Sequence, residues 1–524
     1  MILTETLKKA HKFFPNKQAI VCGGNRWTYG EFFDRINRLS HFLRSLGMRK
    51  DDKVAILHPN CHTFLEAYYG TAQMGAISVP INYRLSPKEI AFILRDSESK
   101  ILIADPMFQK IVDSIREEVP GIGKILWTGE GIGRKESRDL NYEGALQEAN
   151  SDAIHDVDIN DEDTAQIYYT SGTTGRPKGV MLSHKNVTLH ALGTIAEIHL
   201  IDRDVWIHVA PLFHLADAWA TWAITWVGGT HVLVREFAPQ TVLETIEREK
   251  VTLTNLIPTM LNLMVNHPDV GKYDYSSLRV LLSGGAPIAP EVVRKIVETF
   301  KCDYIQTYGM TETSPYLTLS ILKDHLKKLS KEDQLRFKSK TGREFIGVEL
   351  KVINDREGEV KKDEKEVGEI IVKGDIVTKG YWKLPDETKK SIKDGWLYTG
   401  DNAYMDEDGY FHFVDRKKDM IKRGGENVAA VEVEYLISLH PKVQEVAVVG
   451  VPDPIRDEAI MALVVLKAGE TSDADEIINF CKERLAKFKV PSFVEFKESF
   501  PKTSIGKVQK NILRKEAMEK FEHK

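Results

Sequence analysis

Apolar residues recur at helical spacing through WTYGEFFDRINRLSHFLRSLGM, and the pattern stops at Gly47. Shorter apolar runs read as strands: KVAILH, KILIAD, DTAQIYYT, HVLVREF and LTNLIPT. FLEAYYGTAQMGAISVP predicts a helix running into a strand, and PQTVLETIEREK a helix between two of the apolar runs. Such alternation predicts parallel sheets covered by helices. From about residue 341 to 414 the texture changes. EFIGVELKVIND, VGEIIVKG and GYFHFVD are strands joined by Asp, Gly and Lys turns, which predicts a smaller β-rich part. Beyond DRKKDMIKRGGENV, helix and strand return in VAAVEVEYLISLH, EVAVVGVPD, AIMALVVLK and DEIINFCKERLAKF, enough for an independent α+β domain. The expected fold class is therefore α/β. A large N-terminal domain covers residues 1–415, with a β-rich subdomain at 340–415, and a small C-terminal domain covers 416–524. The charged DRKKD run marks the boundary.

Composition narrows the class. The chain has 524 residues, 42% apolar and 28% charged, a globular mixture long enough to bury a large core. Acidic residues outnumber basic ones 77 to 72, so the net charge is only −5. That predicts neither nucleic-acid affinity nor a polybasic membrane anchor. KNILRKEAMEKFEHK at the C-terminus alternates in sign and reads as a solvated helix face. Cys22, Cys61, Cys302 and Cys481 stand far apart with no CxxC pair, which excludes a zinc ribbon or thioredoxin motif and argues against a disulfide framework. MILTETLKKAHKFFPNKQAI has no long apolar run, so neither a signal peptide nor a transmembrane segment is expected. A cytoplasmic location follows.

The densest chemistry lies at Tyr169-Thr170-Ser171-Gly172-Thr173-Thr174-Gly175-Arg176-Pro177-Lys178-Gly179-Val180. A strand-forming run, IYYT, enters a loop rich in glycine and hydroxyls that contains a lysine, and the next helix is expected to open near Ser183. Glycine lets backbone N–H groups close on an anion. Hydroxyls can donate to phosphate oxygens, and Lys178 supplies a compact cation. The Walker pattern is excluded because Pro177, not glycine, precedes Lys178. A polar surface loop is the alternative, but such a loop rarely gathers this many phosphate-competent groups behind an apolar strand.

This stretch resembles the signature loop of the acyl-adenylate-forming superfamily, which includes AMP-forming acyl-CoA synthetases, luciferases and peptide-synthetase adenylation domains. The resemblance runs along the whole chain. It implies that Thr170, Ser171, Gly172, Thr173, Thr174 and Lys178 hold the outer phosphates of ATP. Ser283-Gly284-Gly285-Ala286-Pro287 matches a segment flanking adenine and the acyl group, with Gly285 and Ala286 toward the nucleotide and Gly284 toward the acid. Gln306-Thr307-Tyr308-Gly309-Met310-Thr311-Glu312 matches the YGxTE motif. There Gln306, Thr307 and Tyr308 lie by the nucleotide, Thr311 donates to the α-phosphate, and Glu312 is a hard oxygen ligand for Mg²⁺. Tyr398-Thr399-Gly400-Asp401 places Asp401 on the ribose hydroxyls, with Arg416 beside it and Lys418 at a hinge. Pro501-Lys502-Thr503-Ser504-Ile505-Gly506-Lys507 matches the catalytic-lysine motif, although Lys510 stands where the family more often has Arg. Lys422, Gly424 and Gly425 are expected in the cofactor site, the two glycines beside the pantetheine of coenzyme A.

The implied reaction activates a carboxylate, whose own leaving group would be oxide. Attack on the α-phosphate of ATP gives acyl-AMP and pyrophosphate, and charge neutralisation and in-line positioning are the main tasks. Rotation of a mobile C-terminal lid then admits the thiol. Pro211-Leu212-Phe213-His214 matches the segment beside the acyl pocket, and His214 stands where amino-acid adenylating domains commonly have Asp. Ala216 and Ala220, four apart on one helix face, are expected against the acyl group, with Pro315 and Tyr316 closing one side. Trp219, Trp222 and Trp226 form another stripe, read as core. The small alanines point to a medium- or long-chain fatty acid, with an aryl acid as the alternative. A stand-alone adenylating enzyme without CoA transfer and a non-catalytic AMP-binding protein are the competing readings. ATP, Mg²⁺ and coenzyme A are the expected cofactors and a small-molecule carboxylic acid the expected partner; a homodimer is compatible with all of this.

Overall fold

The computed structural model describes residues 1–129, 139–154, 157–170, 177–416, 419–423, 426–453, 457–502 and 508–522. They fall into two compact units. One takes Met1–Leu350, Val372–Leu397 and Gly409–Phe411, the other Lys351–Ile371, Tyr398–Asp408 and His412–Lys524.

Two helix-covered sheets build the first unit. One has seven strands in the order Asp139–Asn141, Lys124–Trp127, Ser99–Ala104, Lys53–Leu57, Ile77–Pro80, Thr164–Thr170 and Lys178–Ser183. All neighbours are parallel except the last pair. The other runs Asp303–Gly309, Val280–Ser283, Leu253–Asn255, Val205–His208, Thr230–Leu233 and Gln18–Cys22, again parallel. Sheets buried on both faces need continuous apolar strands, and Lys53–Leu57 is buried at every position. The helix Tyr29–Ser45 starts on a capping box between Thr28 and Glu31 and buries Phe32, Ile36, Leu39 and Leu43 on one face. Gly47, at φ +84°, lets the chain turn away.

One element differs from expectation. Lys178 opens a strand, Lys178–Ser183, that pairs antiparallel with Thr164–Thr170 and sets Thr170 opposite Lys178. KGVMLS is short and continues the loop pattern in sequence; the burial of Val180 and Leu182 comes from neighbours distant in sequence. The helix His184–Ile198 does open directly after Ser183, whose side chain accepts from the Asn186 N–H.

In the second unit, Val443–Asp453 and Asp457–Leu466 form a long antiparallel pair, flanked by Ile421–Arg423 and Phe493–Phe496. Alternate residues face opposite ways. Val448, Ile460, Ala462 and Val464 pack with the helices Ala430–Ser438 and Ala474–Lys482. Ala447, Val449, Met461 and Leu463 pack with Leu513 and Ala517 of the helix Lys510–Glu522. Lys510 lies 2.7 Å from Glu434 Oε1, which also accepts from the Val448 N–H at 2.7 Å. Burial pushes the Glu434 and Asp415 carboxyls up, and Lys510 opposes that in both. A lysine therefore serves this position without a guanidinium. Among the described residues no helix is long and apolar enough to cross a membrane.

Two predictions follow from this packing. Lys510→Met should cost about 3 kcal/mol by leaving Glu434 buried without its cation, read as a lower denaturant midpoint of the second unit. The second concerns acid. Burial holds His58, His184 and His214 down to about 4, and His190 to about 3. In the unfolded chain each would take a proton near pH 6.5. The unfolded state thus binds more protons between pH 6.5 and 4, and stability should fall as pH falls through that window. Urea midpoints at pH 7 and pH 4.5 test it; equal midpoints would refute it.

Candidate active site

Lys178 begins its strand beside the segment 378–382. Val180 bridges Tyr381, Met181 N–H donates to Gly380 O at 3.0 Å, and Trp382 N–H donates to Gly179 O at 2.7 Å. This places the Lys178 ammonium 5.4 Å from the Tyr381 ring centroid and 2.6 Å from Glu387 Oε2. Lys178 first, then Lys390, holds the Glu387 carboxyl down to about 2. The same Tyr381 donates its hydroxyl to Glu312 Oε1 at 3.0 Å. Burial first, then Glu312, pushes the Tyr381 phenol up, so it remains a donor. Glu312 is 6% exposed and sits on the short turn Thr311–Thr313, where Thr378 N–H donates to its carbonyl at 2.7 Å. Thr311 beside it is half-buried. One tyrosine thus touches a candidate phosphate lysine and a candidate metal carboxylate. Neither Tyr381 nor Glu387 was singled out in the sequence, where only a common GYW run marks the former.

A second group gathers at the C-terminal ends of adjacent parallel strands, where open α/β sheets bind ligands. Thr307 Oγ1 donates to Ser283 O at 3.1 Å, and Gln306 Nε2 donates to Ala286 O at 2.9 Å. A Cβ on Gly284 would fall 2.2 Å from Thr307 Oγ1, so the backbones meet only because residue 284 has no side chain. Gly285, at φ +83°, turns the chain outward, and Gly285 and Ala286 are exposed. Tyr308 is half-buried. The structure therefore brings Gly284, Gly285, Ala286, Gln306, Thr307 and Tyr308 to one edge.

At the candidate acyl side, His214 is half-buried, its Nε2 is enclosed without a hydrogen-bond partner among the described residues, and burial first, then Arg84, keeps the ring neutral. Ala216 and Ala220 fall on two successive short helices, Leu215–Ala218 and Ala220–Val227. They do not share an environment: Ala216 is exposed and Ala220 fully buried. The four-residue spacing is kept through a helical Trp219 (φ −56°, ψ −31°), which is itself fully buried. Its Nε1–H lies 2.9 Å from Tyr316 Oη and 3.0 Å from Ala216 O. Tyr316, Pro315 and Trp219 are all buried. Tyr316 N–H donates to His190 Nε2 at 3.1 Å, and His190 stacks on Phe345. Tyr316 opens a strand that pairs with Asp303–Gly309, where it stands opposite Gly309. Trp222 is fully buried, Trp226 partly.

In the second unit, Arg416 Nε lies 3.7 Å from Asp401 Oδ1. Asp401 follows Gly400, at φ +73°, within the strand Trp396–Met405, where Thr399 Oγ1–H donates to Ile370 O at 2.7 Å. Lys422 is exposed on the strand Ile421–Arg423, its N–H donating to Glu458 Oε2 at 2.7 Å. Ser171, Gly172, Thr173, Thr174, Lys418, Gly424, Gly425 and Lys507 lie outside the described residues; Thr170 ends its strand at the loop.

Comparison with known proteins bears on this arrangement. The AMP-binding enzyme family matches residues 7–382, and the AMP-binding enzyme C-terminal domain matches residues 432–507. A 4-hydroxybutyrate–CoA ligase 2 of Metallosphaera sedula is 33% identical over 521 residues, spanning 98% of this chain and 94% of its own. A feruloyl-CoA synthase of Amycolatopsis sp is 36% identical over 505 residues, 96% of each chain. Among solved structures, the anthranilate CoA ligase AuaEII in complex with anthranoyl-AMP superposes with a TM-score of 0.87 at 27% identity, covering 99% of this chain and 97% of that one. ATP-bound MatB from Rhodopseudomonas palustris gives 0.85 at 29% identity, covering 98% and 99%. Motifs, mixed α/β architecture and relatives agree, and the chain belongs to the AMP-binding enzyme family as an acid–thiol ligase that uses ATP and coenzyme A.

Proposed function

We propose that this AMP-forming acid–CoA ligase acts on a compact carboxylic acid. The observation that carries the reading is the acyl side itself: Ala216 is open, whereas Trp219, Ala220, Pro315 and Tyr316 behind it are sealed. A long alkyl chain needs a deep slot, and the buried aromatics Trp219 and Tyr316 would block one leading inward from Ala216. The medium- or long-chain fatty acid expected from two small alanines gains no support, because the second alanine faces packed protein. The relatives named for 4-hydroxybutyrate, ferulate and anthranilate make acids other than fatty acids reasonable candidates.

In the first half-reaction the acid's carboxylate attacks the α-phosphate of ATP, a new P–O bond forms, and pyrophosphate leaves. Lys178 and the loop from Thr170 to Thr174 would neutralise the departing phosphates, and Thr311 would donate to the α-phosphate. The buried Glu312 carboxylate suits a hard divalent ion, with water and phosphate oxygens completing the shell. When bound, Mg²⁺ supplies positive charge to the β- and γ-oxygens. Tyr381 orients Glu312 through its hydroxyl and borders Lys178 with its ring. Gly285, Ala286, Gln306, Thr307 and Tyr308 would flank adenine, and Asp401 and Arg416 would hold the ribose. His214, neutral at working pH, would orient the acid. Lys507, from the C-terminal domain at 416–524, would bridge the acid and the α-phosphate. In the second half-reaction the thiol of coenzyme A attacks the acyl carbon near Lys422, Gly424 and Gly425, and AMP leaves.

Acid-dependent pyrophosphate release, measured from propanoate to dodecanoate with and without coenzyme A, tests the substrate class. Short acids should turn over with thioester formed, and dodecanoate should not; rates that rise with chain length would overturn the compact slot. Lys507→Ala should lower adenylation at least about a hundredfold while acyl-AMP still reacts with coenzyme A. Equal loss of both half-reactions would refute its role. Tyr381→Phe should lower kcat/KM for ATP about tenfold, with the Mg²⁺ requirement shifted to higher concentration. An unchanged Mg²⁺ titration would separate Tyr381 from Glu312.

A further inference from the structure

Asn255 ends the strand Leu253–Asn255, paired in register with Leu282, one residue before Ser283 and Gly284 on the neighbouring strand. It is 4% exposed. Its Nδ2–H donates to Ala216 O at 2.7 Å, and that contact settles which amide atom is the oxygen, because a carbonyl can accept only from the nitrogen. The Oδ1 atom, equally enclosed, has no hydrogen-bond partner among the described residues.

Buried amide oxygens are normally paired, so an unmatched one is unfavourable unless something meets it. Among the described residues no group donates to it. The Trp219 Nε1–H is shared between Ala216 O and Tyr316 Oη, and the rest of the plug is aromatic. If Asn255 served only to hold the Ala216 carbonyl, a donor alone would suffice. Ala216, whose carbonyl it holds, is the open residue of the acyl side, so a ligand lying on its methyl group would be a neighbour of the amide. His214, two residues earlier, likewise carries an enclosed Nε2 with no partner. Among the described residues, two enclosed polar atoms without partners thus belong to residues next to the open Ala216, one in contact with its carbonyl and one two positions before it.

We infer that Asn255 is a specificity-determining residue that accepts a hydrogen bond from the acid, so that the substrate is a compact acid bearing a hydroxyl or similar donor away from its carboxylate. The inference rests on the compact-slot reading above. It makes Asn255 a discriminator by loss: an acid without the donor leaves Oδ1 unmatched in the complex, and sites built to meet a substrate hydroxyl reject the analogue that lacks it.

The test uses the full-length enzyme with ATP, Mg²⁺ and coenzyme A, and compares kcat/KM for butanoate against 4-hydroxybutanoate and for pentanoate against 5-hydroxypentanoate. The wild type should favour the hydroxy acid of at least one pair by about tenfold or more. Asn255→Leu should remove that preference, with the ratio moving about tenfold toward the plain acid. Equal use of both members by the wild type, or a ratio unchanged in Asn255→Leu, overturns the inference while leaving the compact slot standing. Turnover of dodecanoate with none of the four short acids overturns the compact slot itself, and the inference with it. Should Asn255→Leu fail to fold by thermal melt, the wild-type ratios decide, and Asn255→Ser supplies the variant.

Discussion

Tyr381 joins two opposite charges, a lysine proposed to meet phosphate and a carboxylate proposed to take a metal. Its ring borders the Lys178 ammonium, and its hydroxyl donates to the Glu312 carboxylate. An acid displacing pyrophosphate brings anion against anion, and such a reaction proceeds only where cations are already in place. Holding Glu312 beneath the surface would be costly without a donor to its oxygen, and Tyr381 supplies one from a segment bridged to the Lys178 strand. Glu387 occupies the lysine from the other side, a carboxylate standing where an arriving phosphate would compete for the same charge.

The acid side follows different physics. Its floor is built by packing rather than by charge: Trp219, Tyr316, His190 and Phe345 fill the space behind Ala216 and link their polar atoms to one another. The strand Tyr316–Leu319 pairs with Asp303–Gly309, from which Thr307 bonds Ser283 across to the next strand. The wall proposed to limit the acid is therefore continuous with the strand ends proposed to flank the nucleotide. A change of acid length and a change of nucleotide geometry are expected to be felt through the same few side chains.

Much of the architecture was legible from local pattern. Capping residues, helical spacing and apolar runs marked most helices and strands, because those elements are chosen by neighbours within a few residues. The motif residues Gly284 to Ala286 and Gln306 to Glu312 could be read in order, and the structure sets them on adjacent strand ends. The Lys178–Ser183 strand was not legible, since its partner strand and the segment at 378–382 confer its burial. Tyr381, Glu387 and Asn255 were missed for a related reason: each is an ordinary residue in sequence, and its partner stands 69, 209 or 39 positions away.

The chain alone determined the class of chemistry: which groups could meet phosphates, which carboxylate could take a metal, and that an acid would be activated through AMP. These are properties of residue type and order, and they survive without coordinates. Only the tertiary structure decided how each side chain proposed for the acyl side is covered. Two alanines four apart look equivalent on paper, yet one is open and the other is enclosed, because burial is conferred by neighbours distant in sequence, as the contact of the intervening tryptophan with a tyrosine from a distant strand illustrates.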